Sequence, residues 1–266
     1  MNFCISNIAW SENHNLQIIK ILNKFRIKNL EYAPGLLLKG KNTIKLLDET
    51  KKFWKKNKIN LYSMQSLLYG INKAYIFGND AQQNLFYKEI DKKIKIANKL
   101  NTKVIVFGSP KAKKTFGRSK KILNKIFENY VKKIKKISKK NKIVFCLEAN
   151  PEIYGSNYLT HTKHAIHFAK KINSDYLKIN LDLGTIIYNK ENIKKIIKEN
   201  INFIGHAQIS APLLKNPLLY PKKILTFLHE LKKNNYTGVV SIEFLGNNNT
   251  NDIMRIFKFL RKNKFI

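Results

Sequence analysis

Short apolar runs and longer amphipathic segments alternate along the whole chain. The runs are rich in β-branched and aromatic residues, which is typical of strands that are buried on both faces. Turn-forming or charged residues bound each of them. There are eight: FCISNIAW (3–10), NLEYAP (29–34), INLYSMQ (59–65), KVIVFGSP (103–110), KIVFCLEAN (142–150), LKINLDLGT (177–185), NFIGHAQIS (202–210) and GVVSIEF (238–244).

The segments between the runs have the periodicity of surface helices. In GRSKKILNKIFENYVKKIKKISKK, steps of three and four separate the apolar residues Ile122, Ile126, Tyr130, Ile134 and Ile137. Such spacing places them on one helix face. Strands that alternate with helices pair in parallel, and eight units with none left over favour a closed barrel. We therefore predict an α/β protein, a (β/α)8 TIM barrel, with the whole chain of 266 residues forming one domain.

The charge adds an alternative to this picture without changing the predicted fold. Lys and Arg number 51 against 17 Asp and Glu, which gives a net charge of +34 and invites a nucleic-acid function. Only four of the 51 are Arg, the residue that nucleic-acid sites favour for bidentate contacts. Asn and Ile are abundant beside Lys, as in proteins from AT-rich genomes. We interpret the lysines as solvated helix surface and expect no nucleic-acid partner.

The chain lacks the signals of export or membrane insertion. No apolar run approaches the ~18 residues that a membrane span needs, and the first residues lack the basic start of a signal peptide. Cys4 and Cys146 both lie in predicted strands, without the neighbours of a zinc knuckle or CxxC motif. We expect a cytoplasmic protein with reduced cysteines and no membrane partner, and the sequence leaves its oligomeric state open.

The last four predicted strands each carry one good metal ligand near the end. Glu148 lies in CLEAN, Asp182 in NLDLG, His206 in GHAQIS and Glu243 in SIEF. Active sites of such barrels lie at the carboxyl ends of the strands. Three carboxylates converging in apolar surroundings repel each other, and a divalent cation removes that cost. Oxygen and imidazole ligands predict one Mn, Zn, Co or Mg ion.

Each of these residues, taken alone, has an ordinary structural explanation. His206 could be a hydrogen-bonded core histidine, and Glu148 could pair with one of the many lysines. Asp182 could shape the turn before Leu-Gly, and Glu243 could be a charge that faces water. Their recurrence on four consecutive strands favours the metal site.

Several motifs resemble those of the xylose isomerase-like barrel superfamily, the sugar phosphate isomerases and epimerases. They are SMQSLLYG (63–70), VFGSP (106–110), LEANPEIYG (147–155) and HAQIS (206–210), and the resemblance covers nearly the whole chain. It implies a Glu-Asp-His-Glu metal set on strands five to eight, at Glu148, Asp182, His206 and Glu243. It also implies an isomerase or epimerase that acts on a small sugar-like molecule.

The chain departs from better-known relatives at two positions. Tagatose- and psicose-type epimerases have His where this chain has Thr185, and Arg where it has Pro212. Endonuclease IV, in the same superfamily, needs more histidines at the strand ends than these six can supply. An endonuclease IV-like nucleic-acid-processing enzyme and a metal-binding barrel without catalysis are therefore the alternatives.

The expected chemistry is proton abstraction next to a carbonyl. Glu148 and Glu243 would flank the substrate, one removing the proton and the other returning it, while Asp182 and His206 serve mainly as ligands. Four further residues at strand ends are candidates for substrate binding. Gln65, Asn150 and Glu31 could contact a polyol or equally be loop caps or turn formers, and Trp10 is expected to form an apolar wall of the pocket.

Overall fold

Eight parallel strands close into a barrel in the computed structural model, which describes residues 1–38, 43–246 and 250–266. Each strand pairs with its neighbours in chain order, and the first closes on the last. Every predicted apolar run coincides with one strand to within two residues at its start and a few at its end, so the predicted (β/α)8 barrel is confirmed. The strands are β1 (Asn2–Ser6), β2 (Asn29–Tyr32), β3 (Asn60–Met64), β4 (Val104–Phe107), β5 (Val144–Glu148), β6 (Leu177–Asp182), β7 (Ile204–Ile209) and β8 (Val239–Ile242).

Helices follow the strands and surround the barrel. Local sequence sets where several of them begin. For example, Asn79 and Gln82 cap the start of α4 reciprocally, the side chain of each accepting the backbone N–H of the other. The helices are α1 (Asn15–Lys24), α2 (Pro34–Leu37), α3 (Ile44–Lys56), α4 (Asp80–Lys99), α5 (Lys120–Asn141), α6 (Thr162–Ile172), α7 (Leu183–Tyr188), α8 (Ile193–Asn200), α9 (Pro221–Lys233) and α10 (Thr250–Lys262).

Helix α5 is amphipathic, but its buried face is rotated from the predicted one. Ile122 is 47% exposed, and Ile126 and Ile137 are only partly covered. The rotation brings large aromatic rings inward, where they bury more apolar area than isoleucine. The buried residues are Leu123, Phe127, Tyr130, Val131, Ile134 and Ser138.

The outer core beside β4 and β5 is an aromatic cluster. The ring centre of Tyr130 on α5 lies 5.2 Å from Phe86 on α4, 5.4 Å from Phe107 on β4 and 5.8 Å from Phe127. These side chains fix the two helices against the outside of the barrel. The opposite faces of the same strands carry a second, smaller apolar cluster, formed by Val104, Val106 and Cys146. No helix within the described residues is long and apolar enough to cross a membrane.

Candidate active site

A cavity of about 540 Å³ opens at the carboxyl ends of the strands. It lies where a barrel of this type places its reactive groups. The loops after β3, β4, β5 and β7 form its walls. Among its lining residues are three of the predicted ligands and two of the predicted substrate-binding residues: Glu148, Asp182, Glu243, Gln65 and Asn150.

Glu148 ends β5 and lies against the backbone of β4. A Cβ at position 108 would lie 2.9 Å from Glu148 Oε2, so Gly108 allows this close approach. Glu148 Oε1 accepts a hydrogen bond from Asn150 Nδ2 at 2.8 Å. Burial and the nearby charge of Asp182 raise the pKa of Glu148 to about 8. The side chain is therefore suited to exchange a proton near neutral pH.

Lys113 is a buried lysine that the sequence analysis did not select. Its Nζ donates to Glu148 O at 3.0 Å and to Asn150 Oδ1 at 2.7 Å. Burial lowers the pKa of Lys113 to about 7, against the opposing effect of the Glu148 charge. Because an ammonium group only donates, it fixes the orientation of the Asn150 amide and so directs Nδ2 to Glu148.

Asp182 caps helix α7 at the end of β6. Its Oδ2 accepts the Thr185 N–H at 2.7 Å, and its Oδ1 accepts the Ser210 hydroxyl. Burial raises the pKa of Asp182, and these hydrogen bonds oppose the rise. Both carboxylate oxygens thus accept hydrogen bonds from the protein. Thr185, which donates its backbone N–H in the first turn of α7, stands where better-known relatives carry His.

Glu243 follows β8 and faces the same cavity. It is 8% exposed, and its backbone N–H donates to Ile209 O at 2.9 Å. Burial raises its pKa well above the usual range, and the charges of Glu148, Glu31 and Asp182 add to the rise. Its carboxylate makes no side-chain hydrogen bond within the part of the chain that the structure describes, which leaves it available to a substrate.

His206 lies in the barrel interior, bound to Glu31, and does not line the cavity. His206 Nε2 is 2.8 Å from Glu31 Oε2, and both side chains are 0% exposed. The structure differs here from the predicted four-ligand set because strand register places another residue beside Asp182. Asp182 pairs with Gln208, and His206 lies two residues earlier on β7, about 6–7 Å further from the strand end.

Glu31 is the centre of a hydrogen-bonded network on the barrel axis. Ser63 Oγ and His206 bind its Oε2, while Gln208 Nε2 and Ser241 Oγ donate to its Oε1, each at 2.8–2.9 Å. The network lowers the pKa of Glu31, although burial alone would raise it. Glu31 therefore lies below the cavity as a buried carboxylate, and not in the substrate-binding place that we predicted for it.

The remaining predicted residues divide between two cavities. Gln65 lines the active-site cavity, and its Nε2 donates to Ser6 Oγ at 2.8 Å. Trp10 lines a separate cavity of about 550 Å³ between the β1 and β2 loops and α3. Its Nε1 donates to Asn15 Oδ1 at 2.8 Å. The structure thus does not bring Trp10 to the wall of the cavity that holds Glu148.

Tyr154 is a further cavity residue that the sequence analysis did not select. Its hydroxyl accepts the Leu213 N–H at 2.6 Å and so joins the β5 loop to the β7 loop. Leu213 and Leu214 have φ values of 60° and 53°, which are strained for leucine. Burial and the Asp182 charge raise the pKa of Tyr154 to about 12, so the hydroxyl stays protonated at neutral pH.

The four predicted metal ligands do not converge on one point among the described residues. Within residues 1–38, 43–246 and 250–266, no group of three or more His, Cys, Asp and Glu side chains could hold a metal ion. His206 is committed to Glu31, and Asp182 is committed to its helix cap. The four-residue site is therefore not assembled in this arrangement.

Comparisons with known proteins identify the family of this barrel and proteins of similar fold. The family model of the xylose isomerase-like TIM barrel matches residues 37–263. The D-psicose 3-epimerase of Clostridium cellulolyticum H10, solved with D-tagatose, is 19% identical with a TM-score of 0.76, over 100% of this chain and 99% of that one. The 3-keto-D-glucoside 4-epimerase from E. coli is 16% identical with a TM-score of 0.75, over 98% and 99% of the chains.

A zinc-containing protein has the same fold. The structure of the IolI protein with a bound zinc atom is 15% identical, with a TM-score of 0.72, over 98% of this chain and 96% of that one. No curated protein matches the sequence. At such identities the structural likeness establishes the fold alone.

Proposed function

Because the chain belongs to the xylose isomerase-like TIM barrel family, we propose that it is an isomerase or epimerase of a small sugar or sugar derivative. The observation that carries the proposal is the pair Glu148 and Glu243, two carboxyl groups of raised pKa that face one cavity. Carboxyl groups tuned in this way suit proton transfer next to a carbonyl.

The two glutamates divide the proton transfer between them. One carboxylate takes the proton from the carbon beside the substrate carbonyl, and an enediolate forms. The other carboxyl group, protonated at the start, returns a proton to the same carbon or its neighbour. The negative charge of either glutamate raises the pKa of the other, so the pair favours one ionised and one protonated carboxyl group. Transfer of a proton from one face of the substrate to the other requires this state.

Polar groups around the pair are suited to bind hydroxyl groups. Gln65, Asn150 and Ser210 line the cavity beside the two glutamates. Asn150 and Gln65 are held by other side chains, so they present fixed donors and acceptors. A cavity of about 540 Å³ accommodates a monosaccharide with room for a substituent. Metal ligation by Glu148, Asp182, His206 and Glu243 stays a prediction from sequence, and no step here depends on it.

The experiment is solvent exchange in deuterium oxide with a panel of ketoses, aldoses and keto-sugars. We expect the purified protein to incorporate deuterium next to the carbonyl of its substrate, and Glu148→Gln and Glu243→Gln each to reduce incorporation by at least about 10²-fold. Glu152→Gln, an exposed carboxylate on the loop after β5, is the matched control and should retain full exchange. Full exchange in both Glu148→Gln and Glu243→Gln would reject the proposal.

A further inference from the structure

A phenol hydroxyl group reaches into the cavity that holds the two glutamates. It belongs to Tyr154, the last residue of a single turn of 3-10 helix (Glu152–Tyr154) in the loop after β5. Burial is the largest cause of its raised pKa, and the negative charges of Asp182, Glu243 and Glu148 add to the rise. The hydroxyl group therefore lies within electrostatic reach of all three cavity carboxylates.

Contact with the β7 loop fixes the position of this hydroxyl group. The Leu213 backbone N–H donates to Tyr154 Oη at 2.6 Å. Leu214, the next residue with a strained positive φ, accepts the Leu245 N–H at its carbonyl oxygen at 2.8 Å. The strained loop is thus held both by Tyr154 and by the segment after β8, as strained backbone must be to persist. Because the loop is held on both sides, the Tyr154 oxygen is in place before a substrate arrives.

The proton of this hydroxyl group has no protein acceptor among the described residues. A hydroxyl group has one proton and two lone pairs, and the contact with the Leu213 N–H uses a lone pair only. The two hydroxyl groups on the β6 and β7 walls of the cavity are different, because each gives its proton to the protein. Thr185 Oγ1 donates to Ala149 O, and Ser210 Oγ donates to Asp182 Oδ1. Tyr154 therefore presents a free donor to this part of the cavity.

Proton abstraction next to a carbonyl creates negative charge on a substrate oxygen. The electron pair of the C–H bond becomes the C=C bond of the enediolate, and the π pair of the carbonyl moves to its oxygen. The carboxylates of Glu148, Asp182 and Glu243 line the cavity in which this charge develops, and their own negative charge disfavours it. A fixed hydrogen-bond donor at that oxygen stabilises the transition state more than the neutral substrate.

We propose that the Tyr154 hydroxyl group donates a hydrogen bond to the carbonyl oxygen of the substrate and to the oxyanion that forms from it. This role rests on the proposed isomerase or epimerase function and adds a third catalytic residue to the two glutamates. Tyr154 keeps its own proton throughout the reaction. When the carbonyl forms again, the electron pair returns from the oxygen and the carbon takes its proton from the second glutamate.

The first experiment removes the donor and keeps the ring. In Tyr154→Phe we expect kcat for deuterium exchange to fall by at least about 10²-fold, while KM changes little, because the hydrogen bond is strongest in the transition state. Tyr188→Phe is the matched control, since it removes a partly exposed hydroxyl group on α7 outside the cavity and should keep both constants. The metal content of each variant is measured beside the assay, so that a loss of bound ion is recognised. An unchanged kcat in Tyr154→Phe would overturn the proposal.

The second experiment separates hydrogen-bond donation from the loop contact, because Tyr154→Phe also removes the acceptor of the Leu213 N–H. Tyr154→2,3,5-trifluorotyrosine keeps the oxygen as an acceptor, but its phenol is far more acidic and loses its proton at lower pH. We expect the exchange rate of this variant to fall with rising pH where the wild type keeps its rate, at an unchanged melting temperature. A pH profile that follows the wild type would show that Tyr154 only holds the loop.

Failure of the proposed function gives a different result from failure of this inference. If the wild type exchanges no proton of any sugar in the panel, the proposed function fails, and Tyr154 is then tested by binding alone. D-threonohydroxamate, whose adjacent oxygens resemble those of an enediolate, is titrated by calorimetry into the wild type and Tyr154→Phe. We expect binding to the variant to be weaker by at least about tenfold. Equal affinity in the two proteins, or no binding by the wild type, would overturn the proposal.

Discussion

At the residue scale, Lys113 sets the orientation of the Glu148 carboxyl group in the cavity. Its ammonium group fixes the Asn150 amide, which in turn binds Oε1 of Glu148. Glu148 Oε2 remains for the substrate. Lys113 touches no cavity surface itself, so it is a positioning residue and not a catalytic one.

Replacement of Lys113 by Met should change the pH profile of exchange. The Lys113 charge lowers the pKa of Glu148, so its removal raises that pKa further above its usual value. A glutamate that must be ionised to accept a proton then loses activity at pH 7, several-fold, and the rising limb of the rate profile moves to higher pH. Lys111→Met, a change in an exposed lysine at the same cavity, is the control and should leave the profile in place. An unmoved limb in Lys113→Met would contradict the positioning role.

Sequence reasoning found the cavity carboxylates but not their partners. Glu148, Asp182 and Glu243 could be selected because a charge in an apolar strand is unusual and the strand ends converge. Lys113 could not, since it lies in PKAKK among many solvated lysines and nothing local distinguishes it. The sequence could have suggested Gln208 as the residue beside Asp182, because side chains alternate along β7 and positions 206 and 208 share one face. Only the strand register decides which of the two lies beside Asp182.

At the element scale, the junction between β6 and α7 depends on one carboxylate. Asp182 ends the strand, caps the helix through Thr185 and holds Ser210 of the next loop.

The sequence predicted the eight strands and their order from periodicity alone. It misplaced the buried face of α5, because helix rotation is set by which rings fit the neighbouring strands. That the whole chain forms one domain stays a prediction.

Asp182→Ala and Asp182→Asn should separate the cap from the charge. The alanine variant loses the acceptor at the start of α7 and should lower the free energy of unfolding by about 1–2 kcal/mol. The asparagine variant keeps an acceptor and removes a buried charge whose pKa is raised by burial, so its stability should equal or exceed that of the wild type. Urea unfolding of both variants checks this. Equal destabilisation by the two substitutions would show that the charge itself stabilises the junction.

At the scale of the whole molecule, the buried glutamates make stability depend on pH in opposite directions. Glu148 and Glu243 have raised pKa values, so their contribution is present below the unfolded pKa near 4.5 and is lost as the pH rises, for Glu148 up to about 8. Glu31 has a lowered pKa, so its contribution is present above that value and is lost in stronger acid. The protein should therefore be most stable in mild acid.

Melting temperatures from pH 4 to 9 test this balance. We expect a maximum near pH 5 and a decline toward pH 8 in the wild type. Glu243→Gln should flatten the decline and raise the melting temperature at pH 8, by roughly 2–4 °C for each kcal/mol by which the ionised carboxylate destabilises the fold. The same variant should differ little from the wild type at pH 5. If the melting temperature of Glu243→Gln declines as steeply as that of the wild type, ionisation of Glu243 does not destabilise the folded protein.

The Glu31 network also limits how this sequence can change over generations. The codons of glutamate and lysine differ by a single base, and the helix surfaces carry many lysines, since a solvated cation there costs little. At position 31 the same base change would put an ammonium group against the His206 ring, with Ser63, Gln208 and Ser241 losing their common acceptor. Residues on three further strands, β3, β7 and β8, would have to change together to accommodate it. A change to lysine that a solvated helix surface would tolerate is therefore costly at the barrel axis, where the residues around Glu31 depend on one another.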